Sequence, residues 1–184
     1  PESGPWGTVD AVQRPVAANF FHLWPKVAYL QNGATRLAAL ERLSLEEGAA
    51  LASRFRDRLA QGFIREGHGD LHLKNLCAHQ DAIQAFDCID FSPQLRWIYT
   101  VSDLAFLFMD LRARGAHREA FSVLQGWLDA SGDHDGIAVL SYYVRYRALV
   151  RAKVAAFDLA QAAPEAREAC VARLEGQVTL AESP

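Results

Sequence analysis

Cysteine is scarce in this sequence, long apolar runs are missing, and neither sign of charge dominates. The three cysteines, Cys77, Cys88 and Cys170, are odd in number and lack paired spacing. That pattern excludes the disulfide framework of a small secreted domain and a cysteine-based zinc site, and it fits a reducing, cytoplasmic setting. Lys and Arg total 19 against 22 Asp and Glu, a formal net charge of −3, so no global basic field draws in nucleic acid. Any anion site must be local. The longest apolar run lies around Leu104 to Met109, far short of the roughly 20 residues a membrane helix needs. The N-terminus shows no charged stretch followed by a hydrophobic one. The chain reads as soluble, with neither membrane nor nucleic acid as a partner. It opens at "PESGPWGT" without Met, and the expectation is a fragment or processed piece.

What is present is apolar mass: 51% of the 184 residues are hydrophobic, enough for one sizeable core and one domain. No internal repeat or low-complexity tract interrupts it. The patterning is mostly helical. Ser44 followed by Glu47 reads as a capping box, and Leu51, Phe55 and Leu59 recur at helical spacing, which predicts a helix from about Leu45 to Gln61. Between Gly62 and Phe91 the texture changes, with "NLCAH" and "AIQAFD" as short apolar runs separated by "HQDA", the pattern of a small hairpin. Helical periodicity returns from Val101, punctuated by Gly115, by "SGDHDG" at Ser131 to Gly136, and by Pro164, which suits the first turn of a last helix. The fold class predicted is mainly α with a small β-hairpin.

The chemistry concentrates in "REGHGDLHLKN", Arg65 to Asn75. His68, Asp70 and Asn75 match the spacing H-x-D-x-x-x-x-N of the catalytic loop in kinase-like phosphotransferases. There the aspartate orients the attacking hydroxyl and accepts its proton, and the asparagine holds a metal. Mg²⁺ takes oxygen ligands and bridges nucleotide phosphates, so a second carboxylate is needed. Asp87, in "AFDCIDF" at the end of the second hairpin strand, would be returned beside Asn75.

"HGDLHLKN", then "FDCIDF", then "SDLAFLFMDL" resembles the aminoglycoside phosphotransferase-like branch of the protein-kinase-like fold. More narrowly, it resembles a bacterial branch often fused to a P-loop ATP-binding domain. The resemblance runs from "GTVDAVQRPVAANF" to "YRALVRAKVAA" and is most specific between His68 and Asp110. It implies Asp70 as catalytic base, Asn75 and Asp87 as metal and nucleotide-phosphate ligands, Mg²⁺ and ATP as cofactors, and a small-molecule hydroxyl as acceptor. It further implies that Asp103 braces the loop from the start of a helix and that His68 supports it, while the role of Asp90 stays open. Such enzymes also carry an N-terminal lobe whose strands and lysine cover the nucleotide. Nothing before Gly67 supplies that sheet, and Lys26 in "LWPKV" stands outside a strand-like setting. The whole of 1–184 therefore reads as the helical C-terminal lobe alone, with little activity by itself.

Two other readings stay open. His68, Asp70 and His72 alternate, and on one face of an extended strand they could bind a transition metal in a hydrolase, with His79 or Asp87 recruited across the hairpin. A lobe that keeps the fold could instead serve as a noncatalytic binding module. In "SYYVRYRALVRAKVAAF", Tyr143, Arg147 and Arg151 share a helical face. The two guanidiniums could contact a substrate anion. The simpler reading is a solvated basic face, with Tyr142, Tyr146 and Leu149 toward the core.

Overall fold

A computed structural model describes residues 5–184; the opening residues Pro1 to Gly4 lie outside the described residues. The chain begins with helix α1 (Val9–Leu23), where the Thr8 hydroxyl accepts the Ala11 N–H at 3.2 Å and so caps the first turn. Pro15 sits inside this helix and leaves the Ala11 carbonyl without its intrahelical donor. A 3₁₀ turn over Trp24–Tyr29 leads into α2 (Gly33–Ala50), and after a break at Leu51 comes α3 (Ala52–Ala60).

The capping box expected at Ser44 is not a helix start. Ser44 lies buried in the middle of α2, where its hydroxyl donates to the Leu40 carbonyl one turn back at 2.7 Å. Glu47 is drawn across to Arg145 on a later helix. The helix instead begins at Gly33, after Asn32 in the left-handed region at φ 51°.

Two small antiparallel ribbons follow. β1 (Ile64–Glu66) pairs with β4 (Trp97–Tyr99), Ile64 opposite Tyr99 and Glu66 opposite Trp97. β2 (Leu76–His79) and β3 (Ala82–Ala85) form the expected hairpin, Leu76 opposite Ala85. Its turn residues Gln80 and Asp81 both have positive φ, 47° and 62°, the geometry whose twist suits a two-residue hairpin. The β1–β4 ribbon was not anticipated, because β4 is three residues squeezed between the short helix α4 (Pro93–Arg96) and α5.

The remainder is helical: α5 (Thr100–Ala113), α6 (His117–Ser131), α7 (Ile137–Gln161) and α8 (Arg167–Glu182). Gly115 and Gly132 end α5 and α6 at φ 76° and 66°, and Pro164 opens a 3₁₀ turn ahead of α8. α7 packs against α1, α5 and α8. Its Tyr142 and Tyr143 meet Phe55 and Tyr99 in an aromatic cluster at the centre of the core. A buried ion pair, Arg58 to Asp133 at 2.7 Å, fastens the end of α3 to the turn before α7, with the Arg58 guanidinium 4.1 Å from the Phe63 ring centroid. Arg36 on α2 grips Glu175 and Glu182 on α8. Among the described residues no helix is long and apolar enough to cross a membrane.

Candidate functional site

The segment after β1 is held from below by its own backbone. Gly67 N–H extends the ribbon to the Arg96 carbonyl at 2.8 Å. Asp103, in the first turn of α5, then takes the next two amides, His68 N–H on Oδ2 at 2.7 Å and Gly69 N–H on Oδ1 at 3.0 Å. A side chain at Gly67 would collide with Asp103 Oδ2. Gly69 adopts φ 84°, and a Cβ there would stand 2.6 Å from the Leu95 carbonyl oxygen, so Gly69 requires glycine, whereas a side chain at Gly67 would push the Asp103 carboxylate off the loop amides.

Arg147 secures the same loop from α7. It is 5% exposed; its Nη1 donates to the Gly69 carbonyl at 2.9 Å and its Nε to the Ser102 carbonyl at 3.1 Å, and its Nη2 lies 3.8 Å from Asp103 Oδ1. The solvated-face reading of Arg147 is corrected here: the guanidinium is buried, and its Nε and Nη1 hold protein carbonyls. Tyr142 and Leu149 do face the core. Arg151, one turn on, is half-buried and close enough to His72 for its charge to oppose protonation of that ring. A residue that sequence reasoning missed is Asp110, buried on α5, whose Oδ2 accepts the Leu73 N–H at 2.9 Å. Its signal was a second acid two helical turns after Asp103 in an otherwise apolar helix.

His68 is fully occupied. Its Nδ1 accepts the Asp70 N–H at 3.3 Å, so its Nε2 carries the proton and donates to the Phe86 carbonyl at 2.8 Å. Asp70 Oδ2 has Asn75 Nδ2 and His72 Nε2 each at 3.3 Å, and Asn75 Nδ2 also donates to the Asp70 carbonyl at 3.0 Å. The Asp70 side chain is 38% exposed, and no described residue bonds its Oδ1. His72 is buried against the edge of Phe106, and that burial holds its pKa below the usual 6.5 despite the Asp70 charge. The His72 ring stands beside the Asp70 carboxylate, its Nε2 3.3 Å from Oδ2, as a charge contact and not a hydrogen bond.

The hairpin brings its far end back to this loop. Phe86 N–H donates to the Asn75 carbonyl at 3.0 Å and Ile89 N–H to the His68 carbonyl at 3.0 Å. Asp87, between them, is exposed and sits at φ 58°, a conformation uncommon for a residue with a Cβ and met at functional turns. Asn75 is 6% exposed; with Nδ2 turned to Asp70, its Oδ1 is the atom left over. An amide oxygen and an exposed carboxylate on neighbouring backbone fit Mg²⁺, which takes one or two protein oxygens and completes its shell with phosphates and water. Asp90, three residues on, is also exposed.

The transition-metal alternative does not survive this geometry. His68, Asp70 and His72 lie in a loop and not on an extended strand; both ring nitrogens of His68 are bonded within the protein, and His79 sits at the remote end of the hairpin. Among the described residues no three His, Cys, Asp or Glu side chains gather as a metal-binding group.

No family model matches the chain, and no solved structure matches it. Uncharacterized proteins of Mycobacterium bovis and of two strains of Mycobacterium tuberculosis are 34% identical to it over 120 residues, 65% of this chain and 24% of each relative. The match thus spans about a quarter of the length of these curated relatives.

Proposed function

We propose that this chain is the helical lobe of a small-molecule phosphotransferase of the kinase-like fold, transferring the γ-phosphoryl of ATP to a hydroxyl. The observation that carries the reading is the state of Asp70: one carboxylate oxygen accepts from Asn75 with His72 packed beside it, and the other is open, with Asp87 returned near Asn75 by the hairpin backbone. A carboxylate so held can align an acceptor hydroxyl and take its proton as the oxygen attacks phosphorus. Asn75 Oδ1 and Asp87 would hold Mg²⁺, which when bound neutralises charge on the phosphates. Asp103, Asp110 and Arg147 fix the loop backbone, so alignment costs little reorganisation during reaction.

A nucleotide also needs a cover, and the described strands are two ribbons of three and four residues. The proposed enzyme therefore works with a further covering segment that supplies the phosphate-binding cation.

The metal-nucleotide half of the reading is tested by adding Mn²⁺-ATP to the ¹⁵N-labelled chain. Paramagnetic broadening should centre on the amides of Asn75, Asp87 and Cys88 and fade in Asp87→Ala. Broadening centred elsewhere, or unaffected by Asp87→Ala, would refute the assigned ligands.

A further inference from the structure

A second cleft opens between the start of α1 and the β1–β4 ribbon, behind the loop that carries Asp70. It holds about 80 Å³, and its walls include Trp6, Trp97, Tyr146, Tyr143 and Arg147. No Asp or Glu lines it among the described residues. Its walls are aromatic and aliphatic and its only charged side chain is the Arg147 cation, which favours an anionic guest over a cationic one.

Two groups in it have hydrogen-bonding capacity to give. Tyr143 is 5% exposed and its hydroxyl has no hydrogen-bond partner among the described residues, whereas the neighbouring Tyr99 hydroxyl lies 2.8 and 2.7 Å from the carbonyls of Gly7 and Phe55. The sealed and unpaired side-chain atoms of the described residues belong to Asn19, Arg58, Arg96 and Gln177; the Tyr143 hydroxyl is not among them, so it is reachable from the cleft. Burial pushes its pKa well up, which keeps it a donor. Arg147 Nη2 is the second group, since the nearest acid, Asp103, stands 3.8 Å away. The Arg147 Cζ also lies 5.4 Å from the Tyr146 ring centroid, so the guanidinium and the aromatic wall form one surface.

Size limits the guest. An apolar cavity of about 150 Å³ encloses benzene; at about 80 Å³ this cleft has room for the carboxylate end of a single-ring guest with the ring at its open side, and none for a fused system. We infer that the cleft is a binding site for a single-ring aromatic carboxylate, its carboxylate accepting from Tyr143 and Arg147 and its ring resting on the aromatic wall that includes Trp6 and Trp97. Asp70, Asn75 and Asp87 are not among the cleft's walls. Because Arg147 also holds the Gly69 carbonyl, an occupant touches the group that positions the loop.

The test is a chemical-shift titration of the ¹⁵N-labelled 184-residue chain with benzoate and, separately, with benzylamine. Benzoate should give saturable shifts at Gly7, Ile98, Ser102 and Gly69, and benzylamine none. Tyr143→Phe, which keeps the ring and the packing, should weaken benzoate by about 10- to 150-fold, the worth of one hydrogen bond to a charged group. Ala11→Trp, which fills the cleft from α1, should abolish the shifts. Absence of saturation with benzoate in the wild type, equal binding of benzylamine, or unchanged affinity in Tyr143→Phe would each overturn the assignment, and the wild-type titration decides even if Ala11→Trp does not fold.

Discussion

Asp70 gives one carboxylate oxygen to Asn75 and leaves the other open, so under the proposed function substitution there separates orientation from binding. In a polypeptide that includes the covering segment, Asp70→Asn should lower turnover by about 10²- to 10⁴-fold, the usual worth of a positioned general base, and leave Mg²⁺-nucleotide affinity unchanged. Asp87→Ala should do the reverse and raise the Kd for Mg²⁺-ATP, measured by calorimetry. Equal turnover by the wild type and Asp70→Asn would remove Asp70 from the mechanism. His72 adds a pH dependence. Its folded pKa lies below 6.5 because it is buried, so the unfolded chain binds more protons as pH falls through that value. Stability should thus be full above about 6.5 and decline below it. Urea midpoints measured from pH 7.5 to 5 should show a smaller decline in His72→Gln than in the wild type.

At the scale of elements, the loop depends on α5 and α7 more than on its own residues. Gly69→Ala forces a Cβ into a left-handed conformation and against the Leu95 carbonyl, which should destabilise the fold by about 1–3 kcal/mol. Arg147→Met removes the donor to Gly69 and leaves Asp103 without its nearest cation; breaking such a buried pair costs about 3–5 kcal/mol, and the longer 3.8 Å approach to Asp103 places this one at the low end. Chemical denaturation checks both. The motif spacing of His68, Asp70 and Asn75, the hairpin and the acid at Asp103 were legible in the sequence, because the turn residues and acids there have few other uses. Arg147 was not. A basic residue on a helix looks the same in sequence whether its face meets water or a backbone carbonyl from 78 positions away. The start of α2 was misread for a related reason, since a serine can cap a helix or bond back within one, and only tertiary burial of Ser44 decides.

The molecule as a whole leaves an apolar margin beside the site. Ile83 and Phe91 are 70% and 79% exposed, with Phe86 between them on the same segment. The mycobacterial relatives are much longer than the matched region; under the proposed function, this margin is where a covering segment would dock. Without it the chain should self-associate, with sedimentation velocity showing a concentration-dependent species that Ile83→Lys with Phe91→Lys suppresses. A monomer at all concentrations would separate that margin from any docking role. The helical class of the chain was readable because apolar spacing recurs over long segments, whereas the β1–β4 ribbon was hidden by strands too short to show a period.

Asp103 and Asp110 grip the loop at Gly69 and Leu73 from one helix, two turns apart. Seven residues of α-helix measure about 10.5 Å and return to nearly the same face, so α5 works as a gauge against which the loop is cut to length. Adding one alanine between Leu104 and Met109 would swing Asp110 by about 100° and advance it by about 1.5 Å. The helix would persist, and the loop would keep its first anchor and lose its second. Such an insertion also turns buried residues such as Met109 and Leu111 away from the core, so it should lower the thermal midpoint sharply and make the Leu73 amide fast to exchange with solvent, a defect of registration instead of composition.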